Sequence, residues 1–123
     1  MLRRPFLIFL SALLVTMSVY AQSGTGPVNK REYVCMMQDM VLTKPGLAIQ
    51  HDGKTYYGCC AMCKDRIGAE PEKYTRAVDP VSGKTVDKAT AFIYGFEGTA
   101  FYFENEANRK RFAAAPQKFI KKQ

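Results

Sequence analysis

Four cysteines are the residues with the most distinctive chemistry in this chain. Cys59, Cys60 and Cys63 fall within five residues, and Cys35 precedes them by roughly twenty residues. Thiolate sulfur is a preferred ligand of ions such as Cu(I) and Zn(II). A strand-to-helix junction at this cluster would direct unpaired N–H groups at the sulfurs and favour thiolates. The spacing predicts a metal site formed by Cys35, Cys59 and Cys63, with Cys60 as a fourth ligand or as a small core residue.

Two other uses of the cysteines compete with a metal site. In an oxidising compartment four cysteines favour a disulfide framework. Vicinal Cys59 and Cys60 can pair only under strain, however, and at most one member of the cluster can reach back to Cys35. The Cys60-x-x-Cys63 spacing is also typical of thiol oxidoreductases. That interpretation leaves Cys35 and Cys59 unexplained and lacks the strand-helix-strand pattern of thioredoxin, so the sequence favours a metal-binding protein over an enzyme.

Methionines and the single histidine are further candidate ligands. Met36, Met37, Met40 and Met62 flank the cysteines, and thioether sulfur is a ligand that Cu(I) accepts. Methionine is also ordinary core filler. His51 lies beside an expected hairpin turn, where a solvated strand residue is the simpler interpretation. Sulfur ligands without a committed histidine suit both Zn(II) and Cu(I), and the neighbouring methionines favour Cu(I).

An internal repeat supplies the elements that must position these residues. Segment 53–67 aligns with segment 98–112 at an offset of 45 residues, and the same offset aligns Pro71 with Pro116. In each copy an Asp-Gly or Glu-Gly pair separates two strand-like runs, which predicts a hairpin. Helix formers follow, with Asn105 as an N-cap in the second copy. Neither copy buries enough apolar area alone, so we predict an α+β fold of two tandem hairpin-plus-helix modules packed as a pseudo-twofold pair.

The motifs of the two copies resemble a known family. Cys35, the gap of roughly twenty residues, the pair Cys59-x3-Cys63 and the segment Pro71–Tyr74 resemble the TRASH domain, named for trafficking, resistance and sensing of heavy metals. The second copy resembles the related YHS domain, since residues 79–83 read Asp-Pro-Val-Ser-Gly where that family usually has Asp-Pro-Val-Cys-Gly. The resemblance covers residues 32–120. It implies treble-clef-like modules that bind copper or other soft metals through the cysteines.

The second copy departs from the family at the ligand positions. Ser82, Glu104 and Asn108 replace the expected ligands. The resemblance therefore implies that this copy binds metal weakly or not at all and acts as a structural partner. The predicted domains are a TRASH-like metal-binding module over residues 32–76 and a YHS-like module without cysteines over residues 77–123.

The first 21 residues have the pattern of a cleavable secretory signal. Arg3 and Arg4 precede the apolar run 6–15, and Val19 and Ala21 are small residues at the positions read by a signal peptidase. The run is roughly half the length of a transmembrane helix. We expect cleavage before residue 22, a flexible leader over residues 22–31 because Gly, Ser, Pro and Asn dominate there, and a periplasmic or secreted protein without stable membrane insertion.

Length and composition exclude several functional classes. The chain has 123 residues, which is too short for a large multi-domain enzyme, and its 47% hydrophobic residues argue against a disordered tail. The net charge of +7 is spread along the chain and does not indicate nucleic-acid binding. The resulting hypothesis is an exported protein, not an enzyme, that holds Cu(I) or another soft metal for trafficking, storage or resistance and exchanges it with a metal-donating or metal-accepting protein. The alternatives are a thiol oxidoreductase using Cys60 and Cys63 and a structural-zinc module that binds a partner.

Overall fold

The computed structural model describes residues 24–120, which form a mixed α+β fold of nine short strands and four helices. The predicted fold class is confirmed at this level. The predicted signal peptide, residues 1–21, lies outside the described residues. The longest helices of the described part have nine residues each, and none has the length and apolar character of a membrane span. The strands are β1 (Gly26–Val28), β2 (Val34–Cys35), β3 (Met40–Val41), β4 (Leu47–His51), β5 (Lys54–Gly58), β6 (Arg76–Val78), β7 (Thr85–Asp87), β8 (Phe92–Phe96) and β9 (Thr99–Phe103), and the helices are α1 (Ala61–Ala69), α2 (Pro71–Thr75), α3 (Glu106–Ala114) and α4 (Pro116–Ile120).

Both predicted hairpins form, and each is closed by a two-residue turn. The φ angles are 51° at Asp52 and 73° at Gly53, and they are 50° at Glu97 and 85° at Gly98. Positive φ at both central residues defines the type I′ turn, whose twist matches that of the paired strands. The turns join β4 to β5 and β8 to β9.

A helix follows each hairpin, as predicted. Cys60 is the N-cap of α1, and Asn105 is the N-cap of α3. The Asn105 side chain accepts a 2.8 Å hydrogen bond from the backbone N–H of Asn108, which satisfies one of the unpaired donors of the first turn. Both helices end before a proline, and α2 and α4 begin at Pro71 and Pro116 because proline fits the first turn of a helix.

The largest sheet combines strands from both copies and from the predicted leader. Its order is β1-β8-β9-β3-β2, and all its pairs are antiparallel. Within the predicted leader, residues 22–31, Gly26–Val28 pairs with β8 and Arg31 begins a 3₁₀ turn that continues to Tyr33. Composition suggests a mobile segment there, but pairing with a distant strand needs only backbone groups.

One hydrophobic core contains side chains from both copies. Ile49, Cys63 and Ile67 of the first copy lie in the same buried cluster as Ile93 and Tyr102 of the second. The two copies therefore share an interior, while their pseudo-twofold relation stays a prediction. A smaller cluster of buried residues belongs to the second copy alone: Tyr94, Phe103 and Phe112.

Two carboxylates, one in each copy, accept hydrogen bonds from side chains of the other copy. Asp87 of the second copy accepts hydrogen bonds from Tyr56 Oη at 2.8 Å and Lys54 Nζ at 2.7 Å, both in the first copy. Asp39 of the first copy accepts a 2.9 Å hydrogen bond from Tyr102 Oη of the second. Hydrogen bonds to charged groups are stronger than neutral ones, so these contacts add directional links to the shared core.

Candidate metal centre

Three cysteine sulfurs converge where β2, β5 and α1 meet. Cys35 ends β2, Cys59 directly follows β5, and Cys63 lies in the first turn of α1. Their sulfur atoms all lie within 4.8 Å of one another. Cys63 Sγ is 3.8 Å from Cys35 Sγ and 3.7 Å from Cys59 Sγ. The fold thus brings together three of the four cysteines that the sequence predicts as ligands.

These sulfur separations fit a metal ion. A tetrahedral ion with metal–sulfur bonds of about 2.3 Å requires sulfur–sulfur distances of about 3.8 Å, and a trigonal ion with the same bonds requires about 4.0 Å. A disulfide has a sulfur–sulfur bond of about 2.05 Å. All four cysteines belong to the described residues, and each is a free thiol there. The arrangement is compatible with Zn(II) and with Cu(I).

Backbone pairing places Cys35 beside the cluster that follows β5. The N–H of Met36 donates a 2.8 Å hydrogen bond to the carbonyl of Tyr57, which holds the end of β2 against β5. Cys35 and Cys63 are buried, whereas Cys59 is exposed. The three-sulfur group therefore has one side open to solvent, from which an ion can enter or leave.

Gly58 makes room for the side chain of Cys63, a role that was not predicted from the sequence. A Cβ atom built at residue 58 would overlap Cys63 Cβ and would lie 3.1 Å from Cys63 Sγ. In the second copy the aligned residue is Phe103, which is fully buried. A glycine directly before two cysteines, where the other copy has a large side chain, is the signal that indicates such a close approach.

The three thiols differ in pKa. Burial raises the pKa of Cys35, but the N–H groups of Gln38, Cys59 and Met37 and the Cys59 thiol outweigh it, so this pKa is lowered. Hydrogen bonding to the sulfurs of Cys35 and Cys63 raises the pKa of Cys59 to about 12, and burial raises the pKa of Cys63. Among the three, Cys35 gives up its proton most readily. A metal that binds all three sulfurs must displace the protons of Cys59 and Cys63.

Cys60 stands apart from the three-sulfur group. It is exposed at the start of α1, and its Sγ lies 3.8 Å from Cys63 Sγ. It does not belong to the set whose sulfurs all lie within 4.8 Å of one another. The hydrogen bond from the backbone N–H of Cys63 is the main cause that lowers the pKa of Cys60. Its role as a fourth ligand stays a prediction.

The candidate methionine ligands lie in different environments. Met36 is fully buried in the main core, and Met37 packs against that core. Met40 and Met62 are exposed, at 47% and 59%. Met36 and Met37 thus have the core-filling role that methionine commonly has, while Met62 lies on the surface of α1 between Cys60 and Cys63.

His51 lies far from the sulfurs along its hairpin. It is opposite Lys54 at the turn end of the hairpin, and Cys59 follows the other end of β5. Five residues of strand span about 16 Å. The imidazole contacts the ring of Tyr56, with centroids 6.4 Å apart, so it belongs to the hairpin and not to the three-sulfur group.

In the second copy a buried carboxylate lies among the residues that align with the cysteines. Asp79 is fully buried. Its Oδ1 accepts hydrogen bonds from the N–H groups of Val81 at 2.7 Å and Ser82 at 3.2 Å. Its Oδ2 accepts from the N–H of Glu104 at 2.9 Å and from Asn108 Nδ2 at 3.0 Å. The three residues that replace the expected ligands, Ser82, Glu104 and Asn108, therefore all donate hydrogen bonds to Asp79, a role that was not predicted from the sequence.

Neither a family model, nor a curated protein, nor a solved structure matches this chain. The resemblance to TRASH and YHS domains rests on the sequence motifs and stays a prediction.

Proposed function

We propose that this protein binds a soft metal ion, Cu(I) in preference to Zn(II), through Cys35, Cys59 and Cys63. The observation that carries the proposal is the convergence of three sulfurs within 4.8 Å from three separate elements. Two of the sulfurs are buried, which protects bound metal from competing ligands. The ion is cargo, held for trafficking, storage or resistance.

The preference for Cu(I) follows from the shape and setting of the centre. Three sulfurs can hold Cu(I) in trigonal form, whereas a closed structural zinc site uses four ligands. Cys59 faces solvent, so an incoming thiol or thioether of a metal-donating or metal-accepting protein can exchange with it. The signal-like sequence of residues 1–21 adds an exported, periplasmic or secreted location to the proposal.

Metal analysis of the full processed chain tests the proposed function. We expect one equivalent of metal, protection of three thiols from alkylation, and displacement of Zn(II) by Cu(I) under reducing conditions. Cys35→Ser, Cys59→Ser and Cys63→Ser should each abolish tight binding, because three-sulfur coordination fails when any sulfur is lost. Cys60→Ser is the matched control and should retain binding. Loss of binding in Cys60→Ser with a silent Cys35→Ser would contradict this ligand set.

A second candidate function is thiol–disulfide exchange by Cys60 and Cys63. The observation that favours it is the exposed Cys60 thiol at the N-cap of α1, 3.8 Å from Cys63 Sγ, where the helix terminus stabilises a thiolate. An oxidoreductase would reduce a disulfide substrate with Cys60 as the attacking thiol. Cys60→Ser would then abolish that activity, and Cys35→Ser would leave it intact, which is the reverse of the pattern expected for metal binding.

We further propose that the two copies form a pseudo-twofold pair of TRASH-like and YHS-like modules. The shared core and the reciprocal contacts of Asp39 and Asp87 support this arrangement. In this arrangement the carboxylate of Asp79 takes the place in the second copy that the metal ion would take in the first. Its task is to support the first copy.

A further inference from the structure

The turn that follows Cys35 is held by a buried lysine from the other copy. Lys88 Nζ donates a 2.7 Å hydrogen bond to the carbonyl of Met36 and a 2.7 Å hydrogen bond to Asp39 Oδ1. These two acceptors stand at the two ends of the turn 36–39. One ammonium group therefore links the first and last residues of the turn.

Lys88 is unusually well enclosed for a charged residue. It is 2% exposed, and a buried ammonium is tolerated only when charge and hydrogen bonds compensate it. Asp39 supplies the charge, and the ring of Tyr102 lies under the ammonium with its centroid 5.1 Å from Nζ. Moving the turn would break these contacts together, so the position of the turn is strongly determined.

Strand β9 of the second copy fixes the same turn from another side. Asp39 has a φ angle of 52°, which is uncommon for a residue with a Cβ atom. Its carbonyl accepts a 2.8 Å hydrogen bond from the N–H of Ala100, and its carboxylate accepts one of 2.9 Å from Tyr102 Oη. The second copy thus holds Asp39 in a conformation that an isolated turn would seldom adopt.

The turn begins directly after Cys35, the buried sulfur ligand at the end of β2. The backbone N–H groups of Gln38 and Met37, in the middle of the turn, help to lower the pKa of Cys35. Hydrogen bonds of this kind orient a ligand, and removing the groups behind metal ligands typically lowers metal affinity about 10- to 100-fold. The contacts of Lys88 at residues 36 and 39 set where these two N–H groups point.

We propose that Lys88 and Tyr102 are positioning residues for the metal centre, through which the cysteine-free copy sets the affinity of the cysteine-bearing copy. The inference rests on the proposed metal-binding function. It assigns to residues 77–123 a direct effect on metal affinity, beyond a general contribution to folding.

The experiment compares two buried tyrosines, each of which donates a hydrogen bond to a carboxylate of the other copy. Tyr102→Phe removes the hydrogen bond to Asp39, and Tyr56→Phe removes the equivalent bond to Asp87; both side chains are 2% exposed. Zn(II) affinity of the full chain is measured by chelator competition. Co(II) is bound as a spectroscopic probe of sulfur coordination. Thermal unfolding of the metal-free protein reports stability separately.

We expect Tyr102→Phe to lower Zn(II) affinity about tenfold and to alter the sulfur-to-cobalt charge-transfer band, while Tyr56→Phe lowers stability to a similar extent and leaves both readouts unchanged. Lys88→Met should lower affinity more than Tyr102→Phe; if it does not fold, the tyrosine pair decides. Equal affinities in wild type and Tyr102→Phe, or equal losses in both tyrosine variants, would overturn the inference. A wild-type chain that binds no metal would instead overturn the proposed function, and the inference with it.

Discussion

Replacing Gly58 with alanine tests whether the three-sulfur centre depends on the close approach of β5 to α1. The new Cβ would overlap Cys63 Cβ and come within 3.1 Å of both Cys63 Sγ and Ile49 Cδ1. Carbon atoms normally pack about 3.5–4.0 Å apart. Cys63 Cβ is attached directly to the helix backbone, so rotating a side chain cannot relieve the overlap. Gly58 is a strand residue without positive φ, and the effect of alanine is therefore steric.

The clash is large enough to affect both stability and binding. Relieving it requires α1 to move by about 1 Å, and overpacking of this kind costs about 1–3 kcal/mol. A loss of about 2 kcal/mol lowers Tm by about 10 °C in a domain of this size. Metal–ligand distances tolerate errors of only about 0.2 Å, so a shifted Cys63 would share an ion with Cys35 and Cys59 in a poorer geometry. We expect Zn(II) affinity to fall at least tenfold, to about the extent seen when ligands lose their supporting groups.

Gly68→Ala is the matched control for this substitution. Gly68 lies in the same helix, and a Cβ atom there has no neighbour within 4 Å. Alanine stabilises a helix by about 1 kcal/mol relative to glycine, so this variant should have a higher Tm and wild-type affinity. Chelator competition and thermal unfolding measure both properties. Wild-type Zn(II) affinity in the Gly58→Ala protein would refute the argument that this glycine makes room for the sulfur centre.

Processing, proton release and acid stability are also open to measurement. Intact-mass spectrometry of exported protein should give a chain that begins at Gln22, and a mass that retains residues 1–21 would contradict the signal prediction. Hydrogen bonding to neighbouring sulfurs raises the pKa of Cys59 to about 12, and burial raises the pKa of Cys63, so both thiols are protonated near neutral pH. Metal binding displaces at least these two protons, so affinity should fall about a hundredfold or more per unit decrease in pH; a pH-independent affinity would exclude these two ligands. Burial raises the pKa of Asp79, but hydrogen bonds from Asn108 and three backbone N–H groups lower it overall. This carboxylate therefore stabilises the fold above its unfolded pKa of about 3.9, and that stability should be lost as pH falls through the lower folded value; an Asp79→Asn chain with unchanged acid unfolding would contradict this.

The elements that local sequence determines were predictable. Asp52-Gly53 and Glu97-Gly98 favour one turn type, and that turn fixes the register of the strands on either side. Asn105 caps α3 through a hydrogen bond within the same turn. The convergence of Cys35, Cys59 and Cys63 was predictable for a related reason, since the spacing of the cysteines favours a shared site over a disulfide framework.

The contacts between distant segments could not be predicted in this way. The pairing of Gly26–Val28 with β8 involves backbone groups, which every sequence supplies. Lys88 looks like any surface lysine in the sequence, and only the fold buries it beside Asp39. The role of Gly58 depends on the separation between a strand and a helix, which no local pattern specifies.

The contrast between the two copies predicts how the chain behaves when its metal is removed. In the second copy the residues aligned with the cysteines are linked by hydrogen bonds to the carboxylate of Asp79. In the first copy the corresponding link would be an exchangeable ion. The shared core, the Lys88 contacts and the sheet that joins β3 to β9 hold the first copy without that ion. We therefore expect the metal-free chain to keep its circular dichroism spectrum and cooperative unfolding, with metal raising Tm by mass action. A chain that unfolds when metal is chelated would instead be a structural-zinc module, in which binding and folding are one event.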